Sequence, residues 1–196
     1  MVRREARRSR HRAETAPRRT VLIVIGAERT ETAYLKGLRD HLRHAAVAMK
    51  LVEKPFASDQ LVEHTLDTFP CREFDEVWCV TDVDPFEREG AKVTTALAKA
   101  QKAGIGVAVS NPCFELWLLL HHDDCSAHCV DCDAVQTKLR KYVPAYDKTR
   151  LRFRDFAGGV DQAMTRAKKL DPTGTDHRRN PSTGVWRLVA AVMERQ

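Results

Sequence analysis

Two aspartates, Asp82 and Asp84, are the residues whose type and spacing most clearly indicate chemistry in this sequence. They lie at the end of the apolar segment 76–82 (EVWCVTD), which is typical of a buried strand, and Pro85 follows them. Because residues two apart on a strand face the same side, both carboxylates should project together at its carboxyl end. Paired carboxylates suit Mg²⁺ or Mn²⁺, which prefer oxygen ligands. Aspartate also often caps turns, so a purely structural role is the alternative.

A third carboxylate, Glu115, is the one acidic residue in the apolar segment 114–120, which predicts a buried helix. Asn111 and Pro112 are expected to begin this helix, with Asn111 as its N-cap. Since a predicted strand precedes the helix, Glu115 should lie at the same sheet edge as the aspartates. The helix dipole is by itself a sufficient reason for a carboxylate there. His121 could pair with a carboxylate, although such a histidine is more often a hydrogen-bonded core or rim residue.

Two further glutamates, Glu28 and Glu31, follow the predicted first strand, 20–25 (TVLIVI). Glu31 falls in the expected first turn of a helix over about 30–44, where a carboxylate is favoured by the dipole. The first strand commonly neighbours the third in parallel sheets of this kind. We therefore expect one of these glutamates to lie near the aspartates.

The cysteines are expected to be reduced thiols or metal ligands, because nothing in the sequence indicates export. Cys125, Cys129 and Cys132 have a loosely zinc-like spacing. Structural zinc sites usually take paired cysteines from two separated segments, and here all candidates fall within one short stretch. We therefore favour a cysteine-rich loop over a zinc site.

The order of apolar segments predicts an α/β fold. Strands are expected over 20–25, 47–51, 76–82 and 105–110, with helices between them, which indicates a mostly parallel four-stranded sheet. After residue 111 the pattern becomes helical in pieces, over 133–142, 160–170 and 183–195.

The charge of this 196-residue chain is concentrated at one end. The net charge is +6, and residues 1–19, with eight arginines and two glutamates, account for all of it. We predict a disordered Arg-rich tail over 1–19, able to contact phosphates or simply solvated, and one domain over 20–196. No apolar run is long enough to cross a membrane, so a cytoplasmic protein without membrane partners is expected.

Three segments together resemble the RloB-like family, whose members occur beside restriction–modification genes and among abortive-infection proteins. They are Val24–Leu35 (VIGAERTETAYL), Val77–Asp84 (VWCVTDVD) and Ser110–His122 (SNPCFELWLLLHH), and the last is the most specific. Asn180–Leu188 (NPSTGVWRL) is similar to the family's closing helix. The resemblance spans about residues 20–195.

This resemblance implies a Toprim-like fold, in which a glutamate follows the first strand and a D-x-D follows the third. By the resemblance, Asp82 and Asp84 would hold Mg²⁺, and Glu115 would join them. The chain departs from the pattern at one position, since Gly26-Ala27 stands where Glu-Gly is usual. Glu28 and Glu31 are the only close substitutes, and Glu31 falls in the family's Thr-Glu position.

Two functions follow from these expectations. The first is a Mg²⁺-dependent nuclease acting on RNA or DNA in anti-phage defence, with phosphate contacts from the tail and from Arg29, Arg178 and Arg179. The alternative is a catalytically weak or inactive nucleic-acid-binding or regulatory subunit that lost the glutamate; a small-nucleotide sensor is a weaker third. A protein partner from a defence operon and a homodimer are both compatible with the sequence.

Overall fold

A computed structural model describes residues 18–26, 29–42, 47–83 and 91–194. Within them, four strands alternate with helices in the first half, and helices dominate the second half. The strands are β1 (Arg19–Ile25), β2 (Val47–Glu53), β3 (Glu76–Asp82), β4 (Gly106–Asn111) and β5 (Ser182–Thr183). The helices are α1 (Thr30–His41), α2 (Ser58–Thr68), α3 (Ala91–Ala103), α4 (Glu115–Leu120), α5 (Cys132–Leu139), α6 (Val160–Leu170) and α7 (Val185–Met193).

The sheet has five strands in the order β2-β1-β3-β4-β5. The first four are parallel, which confirms the predicted α/β fold with a mostly parallel, Toprim-like sheet. The fifth, which was not predicted, pairs antiparallel with β4 through Ser110–Thr183 and Asn111–Ser182. Two residues are too few for a periodic pattern, so this strand leaves no signal in the sequence.

The sheet is covered on both faces, because alternate residues of β1 enter different cores. Val21, Ile23 and Ile25 pack with α1, α4, α6 and α7. Leu22 and Val24 pack with α2 and α3 on the opposite face. All five side chains are fully buried, as expected for the central region of a parallel sheet.

The expected start of one helix is corrected by the structure. Asn111 does not cap a helix, because it is the last residue of β4, and α4 begins at Glu115. Helix α2 begins at Ser58, after Ala57, with no side-chain cap. The Ser58 hydroxyl lies instead 3.1 Å from that of Thr81, so its hydrogen bond joins α2 to β3.

The described residues begin at Arg18, inside the predicted N-terminal tail. Residues 1–17 of the predicted tail lie outside the described residues. Arg19, assigned to that tail, begins β1, and its guanidinium lies 3.1 Å from the carboxylate of Glu76. Across the described segments, every helix is too short or too polar to cross a membrane.

Candidate active site

Three carboxylates share a cleft of about 1180 Å³ at the carboxyl ends of the central strands. Asp82 ends β3, Glu31 lies in the first turn of α1 after β1, and Glu115 begins α4 after β4. Because β1, β3 and β4 are adjacent and parallel, their carboxyl ends meet at one edge of the sheet. The fold thus brings together three of the predicted acidic residues. Asp84 and Glu28 lie outside the described residues.

Asp82 carries the least satisfied polar atom in this cleft. Its Oδ1 is buried and has no hydrogen-bond partner within the described residues. Burial raises the pKa of Asp82 well above its ordinary value, and the charges of Glu31 and Glu115 raise it further. The backbone N–H of Phe114 and the ammonium of Lys148 oppose this rise in pKa. A buried carboxylate oxygen without a donor favours either a proton or a cation beside it.

Glu31 has a pKa close to neutrality. Burial raises its pKa from 4.5 to about 7, its own backbone amide opposes that rise, and Glu115 adds to it. Only 6% of its surface is exposed. Near pH 7 this carboxyl group can therefore either accept or release a proton.

Glu115 is held by a charged and hydrogen-bonded network. Its Oε1 lies 3.1 Å from the Lys148 Nζ and accepts a hydrogen bond of 3.1 Å from the Tyr146 hydroxyl. Its Oε2 lies 3.1 Å from the Cys132 Sγ. Neither Tyr146 nor Lys148 was predicted from the sequence. Both belong to an irregular segment between α5 and α6, where neither periodicity nor a motif indicates a site.

Replacing Lys148 with methionine should lower the free energy of unfolding by about 1–2 kcal/mol at pH 7. The substitution leaves buried Glu115 without its cation, while the exposure of Lys148 and the remaining Tyr146 hydrogen bond limit the loss. Urea unfolding measures the change. The control is Lys36→Met, which removes an ion pair with Glu53 whose two partners are both exposed. Equal losses in the two variants would contradict a buried charge network.

The predicted basic and polar residues are distributed unevenly. Arg29, Arg178 and Asn111 line the cleft, and the Asn111 Nδ2 donates a hydrogen bond of 2.9 Å to the His177 carbonyl. Arg179 is exposed and is not among the lining residues.

His121 lies away from the acidic residues. Its Nε2 is 3.0 Å from the Tyr34 hydroxyl and its Nδ1 is 2.9 Å from the Trp117 carbonyl oxygen, within the aromatic core. Burial lowers the pKa of His121 to about 4. The structure therefore gives His121 the role of a hydrogen-bonded core residue, and its expected pairing with a carboxylate is not found among the described residues.

Four of the six cysteines form two separate pairs. Cys113 and Cys132 are joined in a disulfide, so the expectation of reduced thiols is wrong for this pair. The packing of α4 against α5 brings their Cα atoms within 5.7 Å, a normal distance for a disulfide. Cys125 and Cys129 have their sulfurs 3.5 Å apart, and Lys138 donates to Cys125 at 3.6 Å. The three cysteines considered for zinc are thus separated, because Cys125 and Cys129 pair with each other and Cys132 pairs with Cys113. The sulfurs of the Cys113–Cys132 disulfide also lie within 4.8 Å of a Glu115 carboxylate oxygen, but sulfurs bonded to each other are not thiolate ligands for a metal.

Gly26 occupies a tight position, where the side chain of the glutamate that the family resemblance implies would crowd its neighbours. A Cβ there would lie 3.2 Å from both the Phe56 carbonyl oxygen and the Leu61 Cδ2, and 3.3 Å from the Val80 carbonyl oxygen. The Gly26 N–H donates to that same Val80 oxygen at 2.9 Å. Where the glutamate is missing, the segment that carries Phe56 therefore packs closely against Gly26.

The model of the RloB-like protein family matches residues 21–192 of this chain. The chain belongs to the RloB-like family. The match covers β1 from Val21 onward, the other four strands and nearly all of α7, so the cleft with Glu31, Asp82 and Glu115 lies inside the matched residues. Neither the curated proteins nor the solved structures that were searched contain a match to this RloB-like chain.

Proposed function

We propose that this RloB-like protein is a Mg²⁺-dependent nuclease that hydrolyses phosphodiester bonds of RNA or DNA in anti-phage defence. The observation that carries the proposal is the buried Oδ1 of Asp82, which has no hydrogen-bond partner among the described residues and lies beside Glu31 and Glu115. Carboxylates that raise one another's pKa are stabilised when a cation lies between them.

The donor atoms fit a hard divalent cation. Asp82 would be the central ligand and Glu115 a further oxygen donor, and such ligands suit Mg²⁺ or Mn²⁺. When bound, the cation supplies charge stabilisation at a phosphoryl oxygen and lowers the pKa of a water molecule. Asp84 follows in the chain and remains a predicted ligand.

Glu31 is the candidate general acid or base. A group with a pKa of about 7 exchanges protons most effectively near neutral pH. It can take a proton from the attacking water or return one to the leaving oxygen. It would thus take the part of the glutamate absent at Gly26.

Cationic side chains complete the proposed site. Arg29, Lys148 and Arg178 line the same cleft as the carboxylates. Arginine pairs well with phosphate oxygens, and such contacts position a nucleic acid without reading its sequence. Arg179, which is exposed nearby in the chain, and the N-terminal tail would add further phosphate contacts.

The test is a cleavage assay of the full-length protein with labelled RNA and DNA, in Mg²⁺, in Mn²⁺ and in EDTA. We expect cleavage in Mg²⁺ or Mn²⁺ and none in EDTA. Cleavage that persists in EDTA would overturn the metal-dependent mechanism. Absence of cleavage with either ion, on both nucleic acids, would overturn the nuclease.

A non-catalytic nucleic-acid-binding or regulatory subunit is the second candidate, and the crowded position of Gly26 favours it. It predicts binding without cleavage, weakened by salt and by deletion of residues 1–17. The same assay followed by gel filtration of the mixture separates the two candidates, because an inactive binder leaves the bound strand intact.

A further inference from the structure

Exposed apolar side chains border the acidic floor of the cleft. Among the described residues, four large apolar side chains are conspicuously exposed, and two of them, Phe56 at 37% and Val130 at 75%, line the cleft. Phe56 comes from the segment before α2, and Val130 comes from the segment before α5. Their apolar surface meets solvent inside a cleft that is also lined by five carboxylates and by the cationic side chains of Arg29, Lys148 and Arg178.

Phe56 is held in place by the backbone and by a neighbouring ring. The Lys54 N–H donates to the Ile25 carbonyl oxygen at 2.8 Å, and the Phe56 N–H donates to the Lys54 carbonyl oxygen at 2.7 Å. The ring of His64 meets that of Phe56 edge to face, with centroids 5.0 Å apart. A ring fixed in this way loses little conformational entropy when a ligand covers it.

Gly26 is what allows this segment to approach. A side chain at position 26 would crowd the Phe56 carbonyl oxygen at 3.2 Å. The glycine at position 26, where the family pattern has glutamate, therefore has two consequences. It removes a carboxylate and it lets the Phe56 segment pack against the end of β1.

Phosphate-binding cations beside an exposed aromatic ring are the arrangement by which proteins hold unpaired strands. Arginines and lysines follow the backbone, and aromatic rings stack on bases, which a single strand exposes and a duplex hides. We infer that the cleft binds single-stranded nucleic acid, with an unpaired base stacked on Phe56 and the backbone crossing the carboxylates. This inference rests on the proposed function for the chemistry, but the stacking of a base on Phe56 needs no metal.

The test measures binding by fluorescence anisotropy in EDTA, with a labelled single strand, the same sequence as a duplex, and an abasic strand of equal length. We expect the single strand to bind at least about 10-fold more tightly than the duplex. Phe56→Ala should weaken single-strand binding by about 5- to 100-fold, the range found when one stacked base loses its aromatic partner. Phe56→Trp should retain it, and the abasic strand should not respond to Phe56→Ala.

The matched control is Leu66→Ala, since Leu66 is also 37% exposed but does not line the cleft. It should bind like wild type. Equal affinities for single strand and duplex would overturn the inference, and so would equal losses in the Phe56 and Leu66 variants.

The two proposals fail separately. A preference for single strands without cleavage in Mg²⁺ or Mn²⁺ would overturn the nuclease and support the inference. Metal-dependent cleavage by a protein that prefers duplex would support the nuclease and overturn the inference.

Discussion

Asp82→Asn should reduce metal-dependent cleavage by about 10³-fold, a loss of roughly 4 kcal/mol of transition-state stabilisation. Asparagine keeps the shape of the side chain but removes the charge from the only cleft carboxylate whose oxygen is known to be buried without a partner in the described residues. Single-turnover rates in saturating Mg²⁺ measure the effect, because they exclude product release.

We expect the Asp82→Asn protein to fold normally, so the loss of cleavage would not come from misfolding. In the metal-free protein at neutral pH, Asp82→Asn should be at least as stable as wild type, since the pKa of Asp82 is already raised by burial. The control is Glu53→Gln, which alters an exposed carboxylate at the end of β2, outside the cleft. It should cleave at the wild-type rate. An Asp82→Asn protein with undiminished cleavage would remove Asp82 from the mechanism.

Glu31→Gln should make the metal-free protein more stable at neutral pH, by about 3 kcal/mol. The pKa of Glu31 rises from 4.5 in the unfolded chain to about 7 in the folded protein. Its contribution to stability is therefore fully present below pH 4.5 and is lost as the pH rises to about 7. The size follows from about 1.36 kcal/mol for each unit of pKa difference. Glutamine escapes this loss because it does not ionise.

The measurement is the difference in unfolding free energy between Glu31→Gln and wild type, from urea titrations in EDTA at pH 4.5 and 7.5. A difference is needed because His121 has the opposite effect in the same interval. Its pKa falls from 6.5 to about 4, so its contribution is lost as the pH decreases. We expect the two proteins to differ little at pH 4.5 and most at pH 7.5. Saturating Mg²⁺ should stabilise wild type more than Glu31→Gln. A difference that does not change with pH would contradict the raised pKa.

The proximity of Glu31, Asp82 and Glu115 could be predicted from the sequence because it depends on local sequence patterns. Continuous apolar segments define the strands, and the rules for parallel connections bring their carboxyl ends together. The partners of Glu115 could not be predicted in this way. Tyr146 and Lys148 reach it from an irregular segment whose path depends on tertiary packing, which no periodicity records.

The same limit explains the other differences. The pairing of Cys113 with Cys132 depends on how α4 packs against α5, and spacing alone cannot identify a disulfide partner. Asn111 has the sequence pattern of an N-cap, yet its pairing with Ser182 extends β4 through this residue. A contact with a distant strand therefore overrode a local preference.

The ammonium of Lys148 beside Glu115 also affects how many divalent cations the proposed site would hold. With Glu31, Asp82 and Glu115 ionised, three negative charges and one positive charge leave a formal sum of −2. One divalent cation brings that sum to zero. Once one divalent cation is bound, these four side chains offer no remaining negative charge to attract a second cation. A second cation would therefore need the negative charge of a substrate phosphate. For Glu31, Asp82, Glu115 and Lys148 alone, the proposed site would therefore be balanced by one resident ion, and a second ion would bind only together with the nucleic acid.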